Sequence, residues 1–140
     1  MAIQATLLVC DDVRVEWNSK AILIGLYTTD MTIPFEPFIV PQLQFFLIFE
    51  CGVAERPNKL TLEITLPKQS PIKWEIPLPE MGPVPEGRTR FFLRQPFAVG
   101  NPQLMAGHIV GRVTFDGGEI AVGGPWIMLM QSQQTGAPAV

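Results

Sequence analysis

Residues 7–27 read LLVCDDVRVEWNSKAILIGLY, and the reading of this stretch decides the fold. Val13, Val15 and Trp17 alternate with Asp12, Arg14 and Glu16. Side chains on a strand point to opposite faces with a period of two, so this spacing gives one apolar and one polar face. Asn18, Ser19 and Lys20 then interrupt the pattern. Short polar side chains bond to nearby backbone and suit a tight turn. Residues 21–27 resume as AILIGLY, apolar at both parities. Such a run fits a strand covered on both sides, or one at a subunit contact. Gly25, the β-branched Ile22 and Ile24, and the following Thr28-Thr29 argue against a helix there. The expectation is a hairpin around which the rest of the chain is organised.

Outward from it, the same rhythm recurs. Residues 5–10 read as a short first strand, with Asp11-Asp12 as a kink or bulge. Residues 28–41 carry prolines at 34, 37 and 41, which permits only edge or irregular structure, with brief pairing at 31–33. LQFFLIF at 43–49 places Leu43, Phe45, Leu47 and Phe49 on one face and Phe46 and Ile48 on the other. It belongs in the centre of a sheet, one face in the core and the other at least partly covered. Residues 52–58 read as a polar loop. LTLEITL at 60–66 and the alternation at 72–78, joined by PKQSP, form a second hairpin. PLPEMGPVPEG at 77–87 is a stiff surface connector, because proline fixes φ and favours extended geometry.

The strand at 89–97 turns Phe91 and Leu93 one way and Arg90, Phe92 and Arg94 the other. Residues 100–107 read as a loop. HIVGRVTF at 108–115 follows, with Ile109, Val113 and Phe115 inward. Asp116-Gly117-Gly118-Glu119 is a hairpin turn, since glycine takes positive φ at little cost. Strands at 119–122 and 126–131 complete the set. The fold class expected is all-β: a two-layer antiparallel β-sandwich of about 8–10 strands, immunoglobulin-like or C2-like, with a closed barrel as the alternative. Residues 1–131 form one domain, and 132–140, SQQTGAPAV, a flexible tail.

Composition narrows the function. The 140 residues are 47% hydrophobic but only 16% charged, which suggests that another chain covers some of the surface. A net charge of −3 argues against a general nucleic-acid binder, which needs a strongly basic surface. No apolar run is long enough to span a membrane as a helix. MAIQATLLVC lacks a basic n-region and has Val9 where a lipoprotein signal needs a small residue, so the expected compartment is the cytoplasm, or a host cell's interior for a viral gene. Cys10 and Cys51 are then expected as free, buried thiols rather than a disulfide or a metal site.

The opening LLVCDDVRVEWNSKAILIGLYTTDMTI resembles a family of small uncharacterised bacterial and phage-borne proteins. Their N-termini run as apolar strand, acidic residue, apolar hairpin, and a Gly-containing apolar strand after a basic turn residue. GHIVGRVTFDGGEIAV resembles their closing hairpin. The likeness lies mainly in residues 7–35 and 107–122. It implies a β-sandwich and supplies no catalytic residues.

No nucleophile elbow, phosphate-binding loop, HExxH or EF-hand loop occurs. His108 is the sole histidine, and the serines at 19, 70 and 132 all fall in turns or tail. Asp11, Asp12, Asp30 and Asp116 are too scattered to claim a calcium site. No cofactor or metal is therefore expected. The most suggestive cluster is Arg90, Phe92 and Arg94 on one strand face, because arginine and aromatics are enriched in protein contacts. The leading expectation is a non-catalytic module that contacts protein, itself or a partner, with neither nucleic acid nor membrane. A small-ligand or carbohydrate module using a concave sheet face or the loops near Trp126 and Tyr27 is the second. An enzyme comes third, and would need His108 to converge with Cys10, Cys51 or Asp116 in a cleft.

Overall fold

A computed structural model describes residues 3–78 and 80–130 of the chain, so the tail expected at 132–140 lies outside the described residues. The fold is all-β. Among the described residues the only helical piece is a 3₁₀ turn, Val53–Glu55, inside the expected loop at 52–58. No helix is long and apolar enough to cross a membrane.

The first sheet has three strands, β1 (Gln4–Cys10), β6 (Gln42–Gly52) and β9 (Arg90–Gly100), with β6 in the middle and antiparallel to both neighbours. The second contains β4 (Met31–Ile33), β12 (Gly118–Leu129), β11 (Gly107–Phe115), β7 (Lys59–Thr65) and β8 (Ile72–Pro77), in that order. All its pairings are antiparallel except β4–β12, which is parallel. Two small pairings complete the set. β2 (Asp12–Val15) pairs with β3 (Ala21–Ile24), and β5 (Phe38–Ile39) with β10 (Gln103–Leu104). The short β5, β10 and β4 pieces raise the strand number above the expected range. Residues 119–122 and 126–131, expected as separate strands, are largely one. β12 continues through a bulge where Gly124 and Pro125 face Ile109, since the register slips between His108 and Val110. Proline survives in a central strand at such a bulge because no ladder bond is asked of it there.

Alternation explains the core. On β6, Leu43, Phe45, Leu47, Phe49 and Cys51 face inward and are fully buried. They meet Leu60, Leu62 and Ile64 of β7 and Ile109 and Val113 of β11 in one cluster. Trp74 of β8 and Phe97 of β9 close one side of the sandwich, their ring centroids 5.3 Å apart. The opposite side is a seam: β1 has ladder bonds only to β6, and β12 none to β1, so the barrel alternative is not realised. Glu36 fastens the proline-rich crossover. Its carboxylate accepts the Ala106 backbone N–H at 2.8 Å and lies 3.4 Å from the Lys68 ammonium. That backbone hydrogen bond, then Lys68, holds the Glu36 carboxyl below its ordinary range. The stabilisation is therefore present at neutral pH and is lost on acidification through the lowered value.

The hairpin at the start of the chain differs from expectation. β2 and β3 join neither main sheet, so AILIGLY is not a strand covered on both sides. The turn also closes earlier than expected. Ser19 N–H donates to the Glu16 carbonyl and Ser19 takes φ 65°, which leaves Trp17 in the turn rather than on the apolar strand face. At the far end Gly25 adopts φ 68°, and a Cβ there would run into the Asp11 carboxylate. Only glycine fits that corner without strain.

Phe49→Ala should destabilise the protein by about 3–5 kcal/mol in urea unfolding, the usual cost of emptying a packed aromatic site. Ile48→Ala, on the half-buried outer face of the same strand, should cost less than half as much.

Candidate functional site

The outer face of β6 assembles the most varied chemistry in the molecule. Residues 42, 44, 46, 48 and 50 point away from the core by the two-residue period. Phe46 and Gln44 nonetheless expose only 6% and 8% of their surface. The cover is the chain's own β2–β3 hairpin, which departs from the sheet at Asp11 and lies back over it as a partial third layer.

Hydrogen bonds at the hairpin's base hold it there. One Asp12 carboxylate oxygen, Oδ1, accepts from the Val13 backbone N–H at 2.9 Å, Gln44 Nε2 at 3.1 Å and Gln42 Nε2 at 3.2 Å. Gln42 Nε2 also donates to the Asp11 carbonyl at 3.1 Å. The Asp11 backbone N–H points at the Ile24 and Gly25 carbonyls, and Tyr27 N–H donates to the Val9 carbonyl. The Tyr27 hydroxyl donates to Asp11 Oδ1 at 3.1 Å. Burial first, and then the bond to and negative charge of Asp11, push the Tyr27 phenol up to about 12. The acidic pair read as a kink is thus the anchor of the hairpin.

Val13, Val15, Ala21 and Leu23 share the hairpin face turned toward the sheet, by register. Between that face and the sheet lies a cleft of about 440 Å³. Val15, Ala21, Leu23, Phe46 and Pro96 supply apolar walls, and Lys20 and Arg94 line it as well.

Arg90, Phe92 and Arg94 do share one face of β9, the outer one. Their surroundings differ. Arg90 Nη2 lies 3.3 Å from Glu50 Oε2, a half-buried ion pair across the strands. Phe92 is 46% exposed, and the Arg94 guanidinium sits over its ring, 5.1 Å from the centroid. Arg94 alone of the three reaches the cleft. Sequence reasoning missed Lys20, Leu23 and Pro96 as its companions. The available signal was the pair of corners, Asp11-Asp12 and Gly25, that bracket the hairpin and mark its exit from the sheet.

Other singled-out residues are dispersed. His108 stacks on Trp126, ring centroids 4.7 Å apart and 6° from parallel, and its Nε2 lies 3.0 Å from the Gly124 carbonyl. A carbonyl only accepts, so Nε2 carries the proton. Asp116 lies just past the far end of β11, roughly 25 Å away at 3.3 Å per residue. Its Oδ2 takes the Asn58 N–H. Cys10 and Cys51 are free and buried, on opposite faces of the first sheet. Burial first raises both thiols above their ordinary value. Asp30 Oδ1 accepts the Trp126 backbone N–H at 3.0 Å. Among the described residues no three His, Cys, Asp or Glu side chains gather as a metal site. Tyr27 and Trp126, expected together at a ligand site, share none of the cavities described among these residues. A crevice of about 260 Å³ along the β1–β12 seam is lined by Tyr27 and Asp30 but not by Trp126.

Comparison with family models, with curated proteins and with solved structures yields no match to this chain.

Tyr27 is the sole tyrosine, so tyrosinate absorbance reports on it alone. Its titration should be centred near 12 rather than at the usual value of about 10. The folded-state pKa is raised, so the stabilisation is complete below about pH 10 and fades as pH climbs through the higher value. Asp11→Asn should lower the midpoint only part of the way, because burial is the larger cause. Asp12→Ala strips a shared acceptor from two glutamine amides and should cost about 1–3 kcal/mol in urea unfolding.

Proposed function

We propose that this protein is a non-catalytic β-sandwich module that works by contacting protein, through the outward side of the β2–β3 hairpin. The observation that carries the reading is the exposure of four large apolar residues on the turn, outward face and flank of that one hairpin. Trp17 is 95% exposed, and Ile22, Ile24 and Leu26 about two-fifths or more each. Single exposed apolar residues are ordinary, whereas a contiguous group marks an interaction surface. A tryptophan at the tip of a turn is the residue type that most often anchors a protein contact.

A second copy of the chain is the simplest partner. A two-fold contact sets the same patch against itself and needs no complementary sequence elsewhere. The Arg90, Phe92 and Arg94 row lies on the neighbouring strand face and would flank such a contact. The two buried free thiols support a reducing, cytoplasmic setting.

Light scattering on the purified chain at micromolar concentration should give the mass of a dimer or larger assembly. The double variant Trp17→Ser with Ile22→Thr alters exposed positions only, and should return a folded monomer. A wild-type chain that is monomeric and brings no partner through purification overturns the reading.

A further inference from the structure

The cleft beneath the hairpin carries an inference beyond the contact reading, since it uses the opposite side of β2 and β3. Its electrostatics separate it from the other cavities described. Four other surface cavities each count a carboxylate residue in their lining: Glu80 under the proline-rich connector, Asp30 at the seam, Glu63 on the second sheet, and Glu55 beside the 3₁₀ turn. The cleft of about 440 Å³ has none. It has Lys20 and Arg94 instead, in a chain whose net charge is −3.

Neither cation is committed elsewhere by charge. Arg90 is paired to Glu50, Arg112 to Glu63 and Glu119, Lys73 to Glu63, Lys59 to Glu75 and Lys68 to Glu36. Lys20 and Arg94 form no ion pair with a described residue, and the partner of Arg94 is the face of Phe92. A guanidinium over a ring keeps its N–H fork available in the plane, in a geometry that matches a carboxylate. The remaining lining is apolar apart from Ser19, with Phe46 and Leu23 at opposite walls. A volume in the range of small-molecule pockets, apolar walls and a few placed charges together define a ligand by its chemistry.

We propose that the cleft between the β2–β3 hairpin and the outer face of β6 and β9 binds a small carboxylate with an apolar body, such as a medium-chain acid. The carboxylate meets Arg94 and Lys20, and the apolar body lies against Phe46, Leu23 and Pro96.

Titration of the full chain with octanoate, acetate and 1-octanol, followed by amide chemical shifts, tests this. Octanoate should saturate, with the largest shifts at residues 20–23 and 94–96. It should bind at least tenfold more tightly than either acetate, which lacks the apolar body, or octanol, which lacks the charge. Arg94→Gln and Lys20→Gln, both at exposed positions, should each weaken octanoate about tenfold and leave octanol unchanged. Lys73→Gln, a cation on the second sheet, should have no effect. Non-saturating shifts, shifts centred away from the hairpin, equal binding of octanol, or wild-type affinity in both glutamine variants would each overturn the assignment. The dimer is read independently, by the mass of the unliganded chain.

Discussion

The structure depends on β6 having no free side. Both of its edges are closed by antiparallel ladders, to β1 through Leu7–Leu47 and its neighbours and to β9 through Phe45–Phe97 and its neighbours. Its inward side chains are fully buried, and its outward ones lie partly under the hairpin. A strand in this position must be apolar at both parities, because polar groups without partners are costly to bury. Where β6 breaks that rule, Glu50 is paired to Arg90, and the amides of Gln42 and Gln44 are spent on Asp12 and the Asp11 carbonyl. The same two residues that would weaken the central strand therefore fix the angle at which the chain leaves β1 and turns back over the sheet.

That coupling explains why the fold was legible in the sequence and the site only in part. Two-residue alternation identified 43–49, 60–66, 72–78 and 108–115 as strands and assigned their inward residues, because burial on one face writes that pattern directly. Phe46 and Ile48 were correctly separated from Leu47 and Phe49. Alternation says nothing about which sheet a strand enters. AILIGLY therefore read as a strand covered on both sides or one at a subunit contact, and the first alternative fails because residues 21–24 belong to a separate two-stranded hairpin. The small β5–β10 pairing was missed because two residues are too few to show a period. The cleft was beyond sequence reasoning for the same cause: Lys20 and Arg94 are 74 positions apart, and only the fold of the hairpin brings them to one surface.

The single-face reading of Arg90, Phe92 and Arg94 illustrates how far a correct geometric expectation carries. The three do lie in a row, yet each has a different neighbour. Glu50 pairs opposite Phe92, one step along the ladder, and reaches Arg90. Ile48 pairs opposite Arg94 and Phe46 opposite Pro96, so neither cross-strand neighbour offers that guanidinium a charge. The cross-strand partner, not the strand's own sequence, decides whether an arginine is tied into an ion pair of the scaffold.

An isolated two-stranded hairpin is marginal in water, so β2–β3 persists only through what roots it to the sheet. Its roots are concentrated at one end, in Asp11, Asp12, Gly25 and Tyr27, while the turn with Trp17 lies at the other. A hairpin held at its base would be the part of this fold most readily displaced from the sheet, since the bonds at Asp12 need not break for the tip to move. Opening it would expose Phe46, which limits the excursion, and filling the cleft would offset that exposure. If the cleft takes the ligand proposed for it, its occupancy and the attitude of the apolar outer side would be linked through the same pair of strands. A ligand that prefers one attitude would then alter the proposed contact at the other side by the same free energy, because linkage between two sites on one element is reciprocal.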